Sequence, residues 1–368
     1  MANIAIIGSG ITGVTTAYEL MSRGHSVTVF ERNRYASMDA SFGNGGQLSV
    51  SNAEVWTNWS TILKGMKWLL RKDAPFLVNL SPSWHRYSWL AEFLLQTRNY
   101  EVNTEATVRL ALASRKRLFA IAKTESIDFH HEKRGILHFY RNKAGLDNAR
   151  NVNQILSKGG LNREEVSPDD IRRIEPALSG PLSGGFYTQS DSTGDSHMFS
   201  RNLMRVCAEK GVAFRYRTEV TKVNTQHGKP EVHWTSQDSE TTEREAFDAL
   251  VVCAGIASRD IAHQLGDRIN IHPVKGYSLT VHLRDKASRD AAPWVSLLDE
   301  NTKIVGSRLG EDRYRVAGTA EINNSNLDIR ADRIRPLLRW VEECHPDIDT
   351  SQATPWAGLR PMTPSMMP

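Results

Sequence analysis

Gly8, Gly10 and Gly13 stand in the order G-x-G-x-x-G, and a carboxylate, Glu31, follows one helix and one strand later. The first glycine permits a tight turn. The second lets a pyrophosphate approach the backbone, and the third lets a helix pack close to a sheet. An acid at the end of the next strand can accept hydrogen bonds from an adenosine ribose. The chemistry this spacing points to is dinucleotide binding. Glu31 disfavours a 2′-phosphate, whereas Arg32 and Arg34 beside it favour one or serve as surface charges. The stretch does not separate FAD from NAD.

A second group follows: Ser41-Phe-Gly-Asn-Gly-Gly-Gln47. With three glycines, a serine and an asparagine, its backbone can approach a ligand closely, or it can act as a plain connector. A third lies at Cys253-Ala254-Gly255, where small residues end an apolar run and leave room for a nucleotide.

These groups need particular elements to hold them. Ile4–Ile7 reads as a buried parallel strand, Ile11–Arg23 as a helix whose N–H groups face the phosphates, and Val27–Phe30 as the second strand. Val212–Tyr216 continues the pattern, Glu219–Val223 and Val232–Trp234 read as arms of a meander, and Asp248–Gly255 as a second apolar strand. Between them, helices are expected at Thr104–Lys123 and Asn148–Lys158, with strands at Ile136–Tyr140 and from Gly184. Further strands are expected at Leu279–Leu283, Thr302–Val305 and Arg313–Thr319, then a helix at Ile334–Cys344.

The chain has 368 residues, enough for two domains, with 40% hydrophobic residues and a net charge of +4. That charge is too mild to imply nucleic acid. Cys207, Cys253 and Cys344 are far apart and form neither a metal spacing nor a disulfide framework, which suits a reducing cytoplasm. The N-terminus runs straight into a strand, and no apolar run reaches membrane-spanning length. Trp59, Ile62, Leu63, Met66, Leu69 and Leu70 recur at helical spacing, interleaved with Lys64, Lys67, Arg71 and Lys72. Such a helix either rests on an anionic membrane surface or packs on its own core. His130 and His131 are adjacent and point to opposite faces in a strand, so a shared metal is not expected.

Taken with Thr193–Leu203 (TGDSHMFSRNL), Pro273–Thr280 (PVKGYSLT) and Trp356–Pro364 (WAGLRPMTP), these motifs make the chain resemble the FAD-dependent amine oxidoreductases of the D-amino-acid oxidase type. Within them it is most similar to the catalytic subunits of bacterial D-amino acid dehydrogenases. The resemblance implies an α/β fold with a discontinuous Rossmann-like FAD domain at 1–50, 195–267 and 355–368. It also implies an α+β substrate domain with a large mixed or antiparallel sheet at 51–194 and 268–354. For FAD it implies contacts from Ile7, Gly8, Gly10, Ile11, Thr12, Gly13, Glu31 and Arg32. Ser41, Asn44, Gly45, Gly46, Gln47, Val220, Cys253, Ala254 and Gly255 complete that set.

The resemblance further implies that Arg360 pairs with a substrate carboxylate, that Tyr277 frames the substrate and that Lys275 lies near the flavin. The implied reaction is oxidation of a D-amino acid such as D-alanine by hydride transfer to flavin N5. A 2-oxo acid and ammonia follow, with electrons passed to a quinone. The Trp56–Leu95 stretch is then an expected contact with the membrane or a partner. In the family, WAGLRPMTP is followed by D-G-x-P and a further strand and helix, about 45 residues in all. The sequence here reads Ser365-Met-Met-Pro368. Three other readings stay open: an oxygen-using oxidase of the glycine or sarcosine type, a shortened inactive homologue, and a plain NAD dehydrogenase.

Overall fold

The structure, a computed structural model, describes residues 1–68, 76–79, 81–226, 228–239, 241–323 and 325–368, with the backbone alone at 64, 66–68 and 226. The chain divides into two compact units. The first comprises Met1–Phe42, Ile121–Asp128 and Ser196–His272; the second comprises Gly43–Ala120, Phe129–Asp195 and Pro273–Pro368. By this division residues 43–50 and 355–368 fall in the second unit.

The first unit is built on four parallel strands in the order Ala249–Val252, Asn3–Ile7, Ser26–Phe30 and Ala213–Arg215. Ile4–Ile7 is buried on both sides, as a central parallel strand requires. Helix Ile11–Ser22 packs against helix Ser196–Glu209. It ends at Arg23 and Gly24, whose φ of +81° favours glycine. An antiparallel ribbon of Thr218–Gln226, Lys229–Ser236 and Thr242–Ala246 carries Trp234, whose ring lies 4.9 Å from that of Phe30.

The second unit holds a mixed sheet of nine strands among the described residues. Its order is Thr354–Met362, His272–His282, Arg313–Ile322, Ile304–Arg308, Ser296–Asp299, Ile136–Tyr140, Gly184–Thr188 and Glu164–Val166, with Phe76–Val78 parallel to Arg313–Ile322. Side chains alternate between its two faces. One face is covered by helix Ala331–Cys344, where Leu337, Trp340 and Val341 pack with Leu137, Tyr277, Leu279, Leu297 and Val316. The other face carries Ser278, Ala317, Val305, Leu298 and His138, which are successive cross-strand partners. Thr354–Met362, to which the motif reading gives no element, is a strand. It contains Pro355 and Pro361, and it lies at the sheet edge, where a missing N–H is tolerated.

Trp59–Trp68 is helical, with Trp59 and Leu63 exposed. The side chains of Lys64, Met66, Lys67, Leu69, Leu70, Arg71 and Lys72, on which the membrane reading turns, lie outside the described residues. Among the described residues no helix is long and apolar enough to cross a membrane.

One buried group ties stability to pH. The imidazole of His345 is 1% exposed, between Ala177 O at 2.9 Å and Tyr314 Oη at 3.3 Å. Burial pushes its pKa down to about 4. The unfolded chain, with an ordinary histidine near 6.5, binds the proton first. The contribution of His345 is therefore whole above about pH 6.5 and is lost as the pH falls toward 4, by up to about 3 kcal/mol. Urea unfolding at pH 7 and pH 5 should show a lower midpoint at pH 5, and His345→Gln should flatten that dependence.

Candidate active site

The glycine turn is an interlocked joint. Gly8 takes φ +98° and donates its N–H to Phe30 O at 2.8 Å. A Cβ at Gly8 would stand 2.5 Å from Cys253 O, and one at Gly13 only 1.9 Å from Gly8 O. Cys253 in turn donates its N–H to Ile7 O at 2.8 Å. Strand end, turn, helix and the second apolar strand thus meet at van der Waals distance because no side chain intervenes. Burial raises the pKa of the Cys253 thiol, which stays an unreactive neutral group.

Around that joint the sequence-selected residues take definite places. The first helical N–H, that of Ile11, donates to Ser41 Oγ at 3.1 Å, and Ser41 O accepts from Ser196 Oγ at 2.9 Å. Thr12 is exposed on the first helical turn. Glu31 is buried, and its carboxylate accepts from the Ser9 N–H (2.9 Å), the Ser9 hydroxyl (2.7 Å), the Asn33 N–H (2.8 Å) and Asn33 Nδ2 (2.9 Å). Ser9 is one of the unassigned positions of G-x-G, so its bond to Glu31 had no signal in the motif. Arg32 pairs with Asp39 at 2.9 Å on the surface. Val220 is partly buried beside Ile7 and Val252, at a bulge in its strand. Ala254 leads to Gly255, which has φ +58° and open space where a side chain would project. A side-chain-free turn, a helix N-terminus and a held carboxylate are what an adenine dinucleotide requires.

In the second unit, Gly43–Gln47 lies across the sheet face opposite helix Ala331–Cys344. A Cβ at Gly43 would meet the Trp356 ring at 2.4 Å, and Ser278 Oγ donates to Gly43 O at 2.8 Å. A Cβ at Gly45 would meet Val305 at 2.7 Å. Asn44 Oδ1 accepts the Gly46 N–H at 3.0 Å, and Gln47 Nε2 donates to Ser296 Oγ at 2.8 Å. The glycines let this loop lie flat on the sheet.

Arg360 is on the same face. Its guanidinium lies over Gly276, where a Cβ would come within 3.0 Å of Nη2 and 3.2 Å of Cζ. Arg360 makes no hydrogen bond or ion pair among the described residues. It is exposed, yet its surroundings desolvate it enough to lower its pKa. The cation is thus accessible to a ligand yet surrounded by protein atoms that carry no counter-charge among the described residues. A desolvated, unpaired guanidinium is a strong site for a carboxylate.

Lys275 and Tyr277 flank Gly276 in sequence and project to the opposite face, each 1% exposed. Lys275 Nζ donates to Asn326 Oδ1 at 2.9 Å and to Asp328 O, and lies 5.1 Å from the Tyr277 ring. Burial lowers the pKa of Lys275 and raises that of Tyr277. The fold thus brings Arg360, Gly276, Ser278 and the Gly43–Gln47 loop to one face. It sets Tyr277 under helix Ala331–Cys344 on the other, with Lys275 held by Asn326 and Asp328.

Known proteins resemble this chain over nearly its whole length. The model of the family described as "DAO: FAD dependent oxidoreductase" matches residues 3–368. D-amino acid dehydrogenase 3 of Mesorhizobium japonicum is 55% identical over 368 residues, covering 100% of this chain and 89% of the relative. The D-amino acid dehydrogenase of Paramagnetospirillum magneticum is 38% identical over 99% of this chain and 86% of its own length. Among solved structures, glycine oxidase from Geobacillus kaustophilus superposes with a TM-score of 0.75 at 18% identity, covering 100% of this chain and 84% of that one. L-alpha-glycerophosphate oxidase from Mycoplasma pneumoniae, solved with FAD bound, gives 0.69 at 17% identity, covering 98% and 83%. At such identities the two structures speak for the fold. With a glycine cradle, a held carboxylate and a family match over nearly its whole length, the chain belongs to the DAO family of FAD-dependent oxidoreductases.

Proposed function

We propose that the chain is a D-amino acid dehydrogenase that anchors its substrate's carboxylate on Arg360. The observation that carries the reading is the unpaired, desolvated Arg360 guanidinium over Gly276. The 55% identity with a D-amino acid dehydrogenase supports the substrate class. The Gly8–Gly13 turn and the first turn of helix Ile11–Ser22 hold the diphosphate of FAD, and Glu31 receives its ribose. Ser41, Val220 and Cys253–Gly255 border the cofactor. FAD, when bound, supplies the two-electron acceptor that side chains lack.

Arg360 holds the carboxylate by a planar fork, which fixes the orientation of the Cα–H bond. The amine enters neutral, the C–H bond is lost with its electron pair, and the resulting imine is hydrolysed to a 2-oxo acid and ammonia. D-Alanine fits as a substrate, and a quinone as the acceptor that reoxidises the enzyme.

The test is an anaerobic visible spectrum of the FAD-loaded chain before and after adding D-alanine. Bleaching of the flavin bands supports the reading, and bleaching by L-alanine alone removes it. Peroxide formed in air at the rate of turnover would replace the quinone with oxygen.

Gly276 supplies a sharper check. A methyl group at position 276 must push the Arg360 guanidinium by a few tenths of an ångström, which the side chain can yield without unfolding the sheet. Gly276→Ala should raise KM for D-alanine by about tenfold, because small misplacements of a positioning group are costly. Its circular dichroism and flavin content should match those of the parent.

A further inference from the structure

A second group of polar side chains stands on the Arg360 face, outside any role given so far. Lys303 follows the turn after Ser296–Asp299 and takes φ +56°, a conformation that favours glycine or asparagine. Its ammonium pairs with Glu300, yet half of its side-chain surface stays accessible. Glu300 is also fixed from behind: its Oε1 meets His138 Nδ1 at 2.9 Å, and His138 Nε2 meets Ser51 Oγ at 2.9 Å. Burial keeps His138 neutral, so Nδ1 donates to Glu300 and Nε2 accepts from Ser51.

Glu54 completes the group. Its Oε1 accepts from Tyr100 Oη at 2.7 Å and from Asn58 Nδ2 at 3.2 Å, while Oε2 has no partner among the described residues. Glu54 and Lys303 interact electrostatically. Arg163, 7% exposed over the Phe186 ring, acts on Glu54, Lys303 and His138, and its Nε and Nη2 are buried without partners among the described residues.

The sheet register sets this group opposite the anchor. Gly276 pairs with Ala320, and Val305 pairs with Ala317. Lys303 therefore begins its strand near the level of Ala320, two strand spacings or about 10 Å from Gly276. On the strand between them, the cross-strand partner of Gly276 is Ala320, a small residue. His138 reaches the same face through the row Ser278, Ala317, Val305 and Leu298.

We infer that Lys303 and Glu54 form the distal end of the substrate site and receive a D-amino acid whose side chain ends in a carboxamide. The inference rests on Arg360 as the carboxylate anchor. Two cations, Lys303 and Arg163, face two carboxylates, Glu54 and Glu300, so no net charge remains to hold an ionic side chain. What remains is a donor and an acceptor: the unshared N–H groups of Lys303 and the open Oε2 of Glu54. A carboxamide offers the complementary carbonyl and NH2. A site built on hydrogen bonds discriminates strongly against an apolar isostere, because its own polar groups are then left unmet.

The test uses the FAD-loaded full chain and two carboxylates without an amine, which bind and are not oxidised: glutaramate and its isopropyl isostere. Calorimetry should give glutaramate a Kd about tenfold lower or better, and Lys303→Met should erase the difference. In steady state, the kcat/KM ratio of D-glutamine to D-homoleucine should fall at least about tenfold in Lys303→Met. Equal affinity of the parent for the two carboxylates, with D-alanine still oxidised, overturns this subsite and leaves the Arg360 anchor standing. Failure of both carboxylates to bind overturns the anchor and the subsite together. A parent that favours glutaramate but keeps its preference in Lys303→Met removes Lys303 from the subsite.

Discussion

Arg360→Ala is expected to raise KM for D-alanine by about 100-fold or more while leaving bound FAD at the parent level. A fork of two charge-assisted hydrogen bonds in desolvated surroundings is worth about 2–5 kcal/mol, and each 1.4 kcal/mol is tenfold in affinity. The guanidinium has no ion-pair partner among the described residues, so its removal strands no buried acid. The loss should therefore appear in substrate binding rather than in stability. Arg360→Lys should recover only part of it, because an ammonium is a point charge and cannot grip both carboxylate oxygens. Michaelis kinetics with a dye acceptor, with flavin content read from the same samples, decide the matter. An unchanged KM would remove Arg360 from the site.

The second large effect is expected at Gly13. An alanine there would set Cβ 1.9 Å from Gly8 O, backbone against backbone, with no side chain able to yield. The helix must lift from the turn, and close-packed interiors resist such shifts at a cost of about 1–3 kcal/mol or more. Lifting also moves the helix N–H groups away from the diphosphate. Gly13→Ala should purify with less than about a tenth of the parent's flavin. Gly24→Ala is the control. Gly24 has positive φ but nothing within 4 Å of a built Cβ, so it should lose about 1–2 kcal/mol of stability and keep its flavin. If Gly13→Ala retains full flavin absorbance, the joint does not hold the cofactor.

The legible part of this protein was local. Gly8, Gly10, Gly13 and Glu31 sit within one βαβ unit, where spacing along the chain is spacing in space. The strand around Ile4–Ile7, helix Ile11–Ser22 and strand Ser26–Phe30 appear where periodicity and glycines put them. The Gly43–Gln47 loop could be read as a close-approach loop, but its partners, Trp356 and Val305, lie roughly 260–310 positions away by residue number and leave no local trace.

Faces were harder to read than elements. PVKGYSLT could be read as a site segment, yet alternation sends Lys275 and Tyr277 one way and Gly276 the other. Only the helix packed beneath Tyr277 tells which side is core. Gly276 carried no chemical signal of its own, and its meaning comes from the guanidinium above it. Lys303, Glu54 and Glu300 were equally silent, since ordinary charged residues in loops gain significance only when distant segments meet. Thr354–Met362 was hidden by two prolines that an interior strand would not tolerate.

The order of strands in the first unit also constrains how the chain can be made. Asn3–Ile7 finds one neighbour at Ser26–Phe30 almost at once, but its other neighbour is Ala249–Val252, and Ala213–Arg215 closes the far side. At about 5–20 residues per second, the ribosome delivers residue 249 some 12–50 s after residue 4. Throughout that interval the apolar run Ile4–Ile7 has an unpaired edge, and the glycine joint lacks the Cys253 backbone that locks it. Nascent chains halted before about residue 250 should therefore bind holdase chaperones through their N-terminal strand. Synthesis, not packing, then sets the earliest moment at which the cofactor can enter.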